Sequence, residues 1–230
     1  MKKKVVSALI MAMGMGMAAQ ASAAKISLDH KYEDVSRTHT DEFTLSNHFK
    51  FGLKASAELK FQPAEQSNGD SGHAFRDDRW HETKLSFSYP FKLDHQWAIE
   101  PGFSWSRKQD EYKYKPSLKI KYALTKQTQF AVRYRDELTD YKTKSTKQVN
   151  RYDVSASHSF GALQVGYEYT YYQGNKNLYN HSRHDYQHEV SASYSLTKKW
   201  TPFVEVKNES VSSKSSKRQT EYEVGFSYKI

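Results

Sequence analysis

Lys113, Lys115, Lys119 and Lys121 recur at odd positions of one short segment, Arg133 and Arg135 follow at the same spacing in the next, and Arg151 stands in the one after. In an extended chain, side chains two residues apart share a face, so these residues form rows of cations. Such rows hold carboxylates by charge, and a guanidinium does so with a two-pronged fork that stays ionised. The chemistry on offer is capture and guidance of anions rather than bond making. Histidines are the other reactive stock. His181, His184 and His188 with Asp185 form the densest group, and His73, His81 and His158 have Ser or Asp neighbours. No nucleophile elbow or metal-ligand spacing accompanies them, and the adjacent Ser157 and His158 point to opposite faces. The reading is therefore not an enzyme: catalytic residues none, cofactor none, metal none.

The elements that must position these rows are strands of alternating character. Tyr112, Tyr114, Leu118, Ile120 and Tyr122 line the face opposite the four lysines, so one side suits an apolar medium and the other water. The beat continues from residue 25 to residue 230 in twelve segments: Ile26 to Glu33, Phe43 to Phe49, Leu53 to Phe61, Trp80 to Tyr89, Trp97 to Trp105, Tyr112 to Tyr122, Gln129 to Leu138, Gln148 to His158, Leu163 to Tyr171, Asp185 to Ser195, Trp200 to Lys207 and Glu221 to Ile230. Breaks after the second, fourth, sixth, eighth and tenth segments are short. The others are mostly longer and polar, notably Gln62 to Arg79, Asp140 to Lys147, Tyr172 to His184 and Asn208 to Gln219. Short turns on one side and long loops on the other describe the periplasmic and extracellular ends of a twelve-stranded antiparallel transmembrane β-barrel. The fold class is all-β. Pro101 and Pro116 fall inside strands, where a missing N–H predicts loosened pairing. Trp97, Trp105, Tyr112, Tyr122 and Trp200 sit near strand ends, as interfacial anchors do.

Composition narrows the class. The chain has 230 residues, of which 37% are hydrophobic, yet it carries 17 Tyr, 12 Phe and 4 Trp, an aromatic load foreign to disordered chains. Beyond residue 24 nothing approaches the roughly 20 apolar residues of a spanning helix. Lys2, Lys3 and Lys4, the apolar run Val5 to Ala19 and the small residues Ala21 to Ala24 make residues 1-24 a secretory signal peptide, leaving 25-230 as the barrel. Without those three lysines the formal charge falls from +9 to +6. An exported chain rarely meets nucleic acid, so anionic lipopolysaccharide or an anionic solute is the expected partner. No Cys is present, which excludes disulfides and a lipid anchor on a leading Cys.

Parity then charts the wet face. Inward cations are Lys54, Lys60, Lys84, Lys113, Lys115, Lys119, Lys121, Arg133, Arg135 and Arg151; inward acids are Asp29, Glu58, Glu82, Glu100, Asp153, Glu168, Glu189, Glu205, Glu221 and Glu223. The sixth and seventh strands bring six cations almost without acidic neighbours, while the eleventh and twelfth are mainly acidic. A basic wall facing an acidic one sets a transverse field across a narrow lumen. The expected path of an anion follows Lys113, Lys115, Lys119, Lys121, Arg133, Arg135 and Arg151, with Arg133 and Arg135 the sharpest contacts.

With the strands placed, four stretches acquire a likeness: Ile26-Ser27-Leu28-Asp29-His30-Lys31-Tyr32-Glu33, the segment Phe91 to Trp97 leading to Pro101-Gly102, the triplet Arg133-Tyr134-Arg135, and the ending Arg218 to Ile230. Together they resemble the oligogalacturonate-specific porin family of Gram-negative outer membranes, which includes the sialic-acid channel. The resemblance spans essentially the whole chain after residue 24. It implies a monomeric barrel in outer-membrane lipid and lipopolysaccharide, inserted by the barrel-assembly machinery, with both termini periplasmic. It also implies a narrow basic pore passing acidic oligosaccharides, in which Arg133 and Arg135 match the family's inward arginines and Lys119 stands beside them. Oligogalacturonate is the first expected solute; sialic acid or small anions in general come second, and a barrel enzyme or adhesin is the reading from another class. The last residue is Ile230, where such barrels usually end on an aromatic.

Overall fold

A computed structural model describes residues 21–67 and 69–230. The expected signal peptide lies outside these residues apart from 21–24, which begin the first strand. The strands are β1 (Ala21–Glu33), β2 (His39–Phe49), β3 (Lys54–Pro63), β4 (Asp78–Ser88), β5 (Phe91–Lys92), β6 (Trp97–Arg107), β7 (Glu111–Ala123), β8 (Thr128–Tyr141), β9 (Lys147–Phe160), β10 (Leu163–Gly174), β11 (His184–Tyr194), β12 (Trp200–Ser210) and β13 (Arg218–Lys229). Every neighbouring pair is antiparallel, β13 pairs with β1, and β4 pairs with β6 to close the sheet. Closure satisfies the backbone groups that an open edge would leave bare in lipid. Twelve strands are long, as the alternation requires; β5 is a two-residue stub opposite Ala98 and Ile99.

Prolines explain the stub and a second gap. Pro90 cannot donate to a ladder, and across from it Pro101 cannot either, so β4 stops at Ser88. Pairing resumes in unchanged register, with Ser88 opposite Gly102 and Phe91 opposite Ile99. Around Pro116, β7 and β8 skip from Tyr114↔Leu138 to Ser117↔Arg135, again without a slip. Both expected weak points are thus loosened rungs rather than bulges. Register shifts fall between Ala21 and Ala23 on β1 and between Lys60 and Phe61 on β3, the latter opposite His81. The β3 shift lets Trp80 stand with Thr83, Leu85 and Phe87 on the outer face.

Strands outrun the sequence expectation at the loop end, which shortens the connections. Three residues beyond Leu138 β8 is still paired at Tyr141, β9 begins at Lys147, and β6 reaches β7 through only Lys108 to Asp110. At the opposite end Gly161, at φ 62°, opens the two-residue turn from Phe160 to Leu163, a conformation that favours glycine. In the turn before β6, the amides of Gln96 and Trp97 each donate to Asp94 Oδ1 at 2.7 Å and hold its carboxyl below the usual range. The connection from β3 to β4 brings Phe75 to the outer face: it packs 4.7 Å from His30, which shares that face with Leu28 and Tyr32.

The interior is inverted relative to a water-soluble protein. Among the described residues the buried apolar side chains are Ala55, Ala57 and Val149, whereas Ser106, Asp153 and Thr170 are the most enclosed of all. Outward faces carry Leu118, Ile120, Val132, Val154, Val190 and Val224 in the open, as a hydrocarbon-facing band requires. At the short-turn rim Trp97 packs on Tyr122 at 4.6 Å and Trp200 on Tyr228 at 4.8 Å; towards the loops Trp105 stacks near Tyr112 at 6.3 Å. Such ring pairs each contribute about 0.5–1.5 kcal/mol beyond burial.

A charged lumen as the candidate functional site

Inward parity places the charged residues around a cavity of about 720 Å³ that extends from Lys25 and Lys229 near the short turns to Arg151 and Glu209. Eleven lysines and arginines line it against three glutamates, and serines with Gly102 fill the spaces between them. Lys115, Lys119, Arg133, Arg135 and Arg151 are among the lining residues. Lys113 and Lys121 are not. Lys113 pairs with Glu111 at 3.0 Å near the loops, and Lys121 is clamped to Glu100 at 2.5 Å lower down, where Lys54 shares the same carboxylate at 3.0 Å.

The basic wall is built on β7, β8 and β9. Lys119, Arg133 and Asp153 are successive cross-strand partners, and Arg135 stands directly opposite Arg151. Like charges so placed repel, and the fold answers with a carboxylate beneath them. Asp153, only 2% exposed, accepts from Arg133 Nε and Arg151 Nε at 2.5 Å each, lies 3.8 Å from Arg135 Nη2, and takes the Thr170 hydroxyl at 2.8 Å. Glu168 accepts from Arg133 Nη2 at 3.2 Å and Arg151 Nη2 at 3.1 Å. Glu137 lies 3.4 Å from Arg135 and 3.8 Å from Lys115.

Two expectations therefore need correction. The cations of these strands do not stand almost without acidic neighbours, and Arg133 and Arg135 are not open forks: part of each guanidinium is already committed. A guanidinium removed from bulk water needs its donors occupied. Lys119 differs. Among the described residues no carboxylate lies within 4.0 Å of its ammonium, and it faces the cavity.

Four strands intervene on either side between the β7–β8 wall and the β13–β1 wall, so the two face each other across the lumen. On the second wall Lys31 sits 3.0 Å from Glu42, 3.2 Å from Glu223 and 4.0 Å from Asp29. Lys207 sits 2.7 Å from Glu221 and 3.2 Å from Glu205. Glu205, Glu221 and Glu223 bring carboxylate oxygens within 4.8 Å of one another, and the two lysines already neutralise that group. The basic-against-acidic arrangement read from parity therefore needs correction: the carboxylates cluster on this side, but at the cavity it presents Lys25, Lys207 and Lys229 against Glu209.

Sequence reasoning missed Lys25 and Lys229 at the short-turn mouth and Glu137 behind Arg135; Lys54, Lys60 and Lys84 were assigned inward but not to the path. Lys25 lies one residue before the first expected segment, whereas Glu137 and Lys229 already have inward parity within theirs. The histidines singled out from the sequence do not form one site; among the described residues the pair in contact is His30 and His39 at 3.1 Å, with Asp41 2.8 Å from His30. His184 and His188 are hydrogen-bonded to the hydroxyls of Tyr171 and Tyr167 at 2.7 and 2.8 Å, and His158 to Thr128 Oγ1 at 2.8 Å.

Known proteins share this architecture. A family model described as oligogalacturonate-specific porin protein (KdgM) matches residues 17–230. The oligogalacturonate-specific porin KdgM of Dickeya dadantii is 28% identical, over 96% of this chain and 97% of its own. The N-acetylneuraminic acid outer membrane channel protein NanC of Escherichia coli is 22% identical, over 91% of this chain and 92% of its own. A solved structure of the KdgM porin in complex with disordered oligogalacturonate superposes with a TM-score of 0.68 at 26% identity, covering 90% of this chain and 99% of that one.

Proposed function

The chain belongs to the oligogalacturonate-specific porin family, and from that premise we propose that it is a passive outer-membrane channel for acidic oligosaccharides. Oligogalacturonate is the first solute on this reading and N-acetylneuraminic acid the second. One observation carries it: the cavity presents eleven cations against three glutamates, with Lys119 unneutralised at its wall. An oligogalacturonate offers a carboxylate on every sugar and hydroxyls between them, which suits cations interleaved with serines. Lys119 attracts each carboxylate as a point charge, and the spare donors of Arg133, Arg135 and Arg151 receive it. Many moderate contacts in file, rather than one tight site, let a charged solute both enter and leave.

Residues 1–24 act as the signal peptide, and a monomer is complete in itself because one chain closes its own lumen. Outer-membrane lipid, lipopolysaccharide and the barrel-assembly machinery are its partners. No cofactor, metal or catalytic residue enters the reading.

Single-channel recording in a planar bilayer tests it. The expected result is chloride preferred over potassium in a KCl gradient, and brief current blockades by trigalacturonate that weaken when Arg133 and Arg135 are neutralised. Cation preference, or a current indifferent to trigalacturonate, overturns the proposal. Competition by N-acetylneuraminate against trigalacturonate ranks the two solutes.

A further inference from the structure

Three carboxylates serve the arginines of the basic wall; Glu137 pairs with Arg135, and the two that Arg133 and Arg151 share are held very differently. Asp153 lies under the guanidiniums at 2% exposure and is fixed by Thr170 as well. Glu168 comes from β10, on the far side of β9, is 19% exposed, and reaches Arg133 and Arg151 through the single oxygen Oε1 at 3.2 and 3.1 Å. Its direct cross-strand partner on β11 is Glu189, a like charge that weakens its seat. Arg133 and Arg151, unlike Glu168, line the cavity.

Resting on the proposed function, we infer that Glu168 is an exchangeable internal counter-ion: it occupies the positions on Arg133 and Arg151 that a passing solute carboxylate takes, and it returns as the solute leaves. Each exchange replaces one carboxylate by another, so the guanidiniums are never left bare. That keeps both entry and release shallow, where an empty pair of forks would trap the solute. Asp153 holds the forks in place and does not exchange; Glu168 sets how long a carboxylate stays. Nothing in this requires a change of protonation or a moving loop.

Trigalacturonate blockades and the chloride-to-potassium permeability ratio of the whole chain test it. Glu168→Gln is expected to lengthen blockades about tenfold, the scale of one freed charge-assisted hydrogen bond. Glu168→Asp keeps the charge but draws back by one methylene, and is expected to lengthen them about threefold by the same loss. Glu189→Gln removes a cavity-lining carboxylate that touches no arginine; relieving the like charge opposite Glu168, it is expected to shorten them by less than about twofold. Heat-modifiable migration on gels verifies that each variant is a folded barrel. Equal effects of Glu168→Gln and Glu189→Gln, or no effect of Glu168→Asp, overturn the inference. Should the wild type ignore trigalacturonate, the sugar reading falls, and the chloride ratios of the same three variants still decide the role of Glu168: a larger rise for both Glu168 variants than for Glu189→Gln supports it, and equal ratios overturn it.

Discussion

The two walls of the lumen solve one problem with opposite signs. On β7–β9 three arginines gather around the buried Asp153; across the lumen, carboxylates of β2, β13 and β1 gather around Lys31. In each case a minority ion sits behind a majority of the other sign. Charged walls need such an ion because like charges on neighbouring strands repel and cannot all be hydrated in a narrow space. The difference lies in what remains exposed to the cavity. The basic wall keeps Lys119 and spare guanidinium donors, and the acidic wall spends its lysines internally. On the proposed function, selectivity resides in the excess, and stability in the minority ion.

Removing a minority ion should break the comparison most severely. Asp153→Asn is expected to cost about 3–5 kcal/mol, the penalty for stranding a buried charge network, read as a fall in thermal midpoint and loss of heat-modifiable migration in detergent. Lys31→Met on the other wall should cost less, about 2–3 kcal/mol, because Glu42 keeps Lys60 at 3.0 Å as a second cation; the same assay measures it. Equal losses would show that the spare cation is irrelevant. Lys119→Gln should leave the midpoint within about 0.5 kcal/mol, as expected for a group without an ion partner, yet lower the chloride-to-potassium ratio about threefold. A drop in stability there would merge the two roles that the walls keep apart. The smallest effect is that of salt: raising KCl from about 0.1 to 1 M shortens the Debye length from about 10 to 3 Å and should shrink the Lys119→Gln difference while barely moving the Asp153→Asn midpoint.

Much of this was legible in the residues, for a physical reason. A strand exposed to lipid on one side and water on the other must alternate, so Leu118 and Ile120 betray Lys119 without any structure. The signal fades where the outward residue turns polar near the headgroups: Asp136 follows Tyr134 on the outer face of β8, and so Glu137, inward beside it, escaped notice. The stub at Phe91–Lys92 is too short to show a beat at all. Ion pairs are the deepest omission, since parity says which face a side chain takes and nothing about its neighbours. The contact of Glu168 with Arg133 spans three strands, and only closure into a barrel decides that distance.

The inverted interior also bears on how the chain travels. A protein bound for an outer membrane must first cross an inner one without being retained there. Because outward Leu, Val and Tyr alternate with inward side chains that are mostly polar or charged, the mean hydropathy is only -0.89, and no described helix is apolar enough to cross a membrane. Translocation machinery that halts on about 20 consecutive apolar residues meets none in this barrel. Its greasiness is written in half-measures, legible only after the strands have paired, so the lipid-loving surface comes into being at the destination rather than en route.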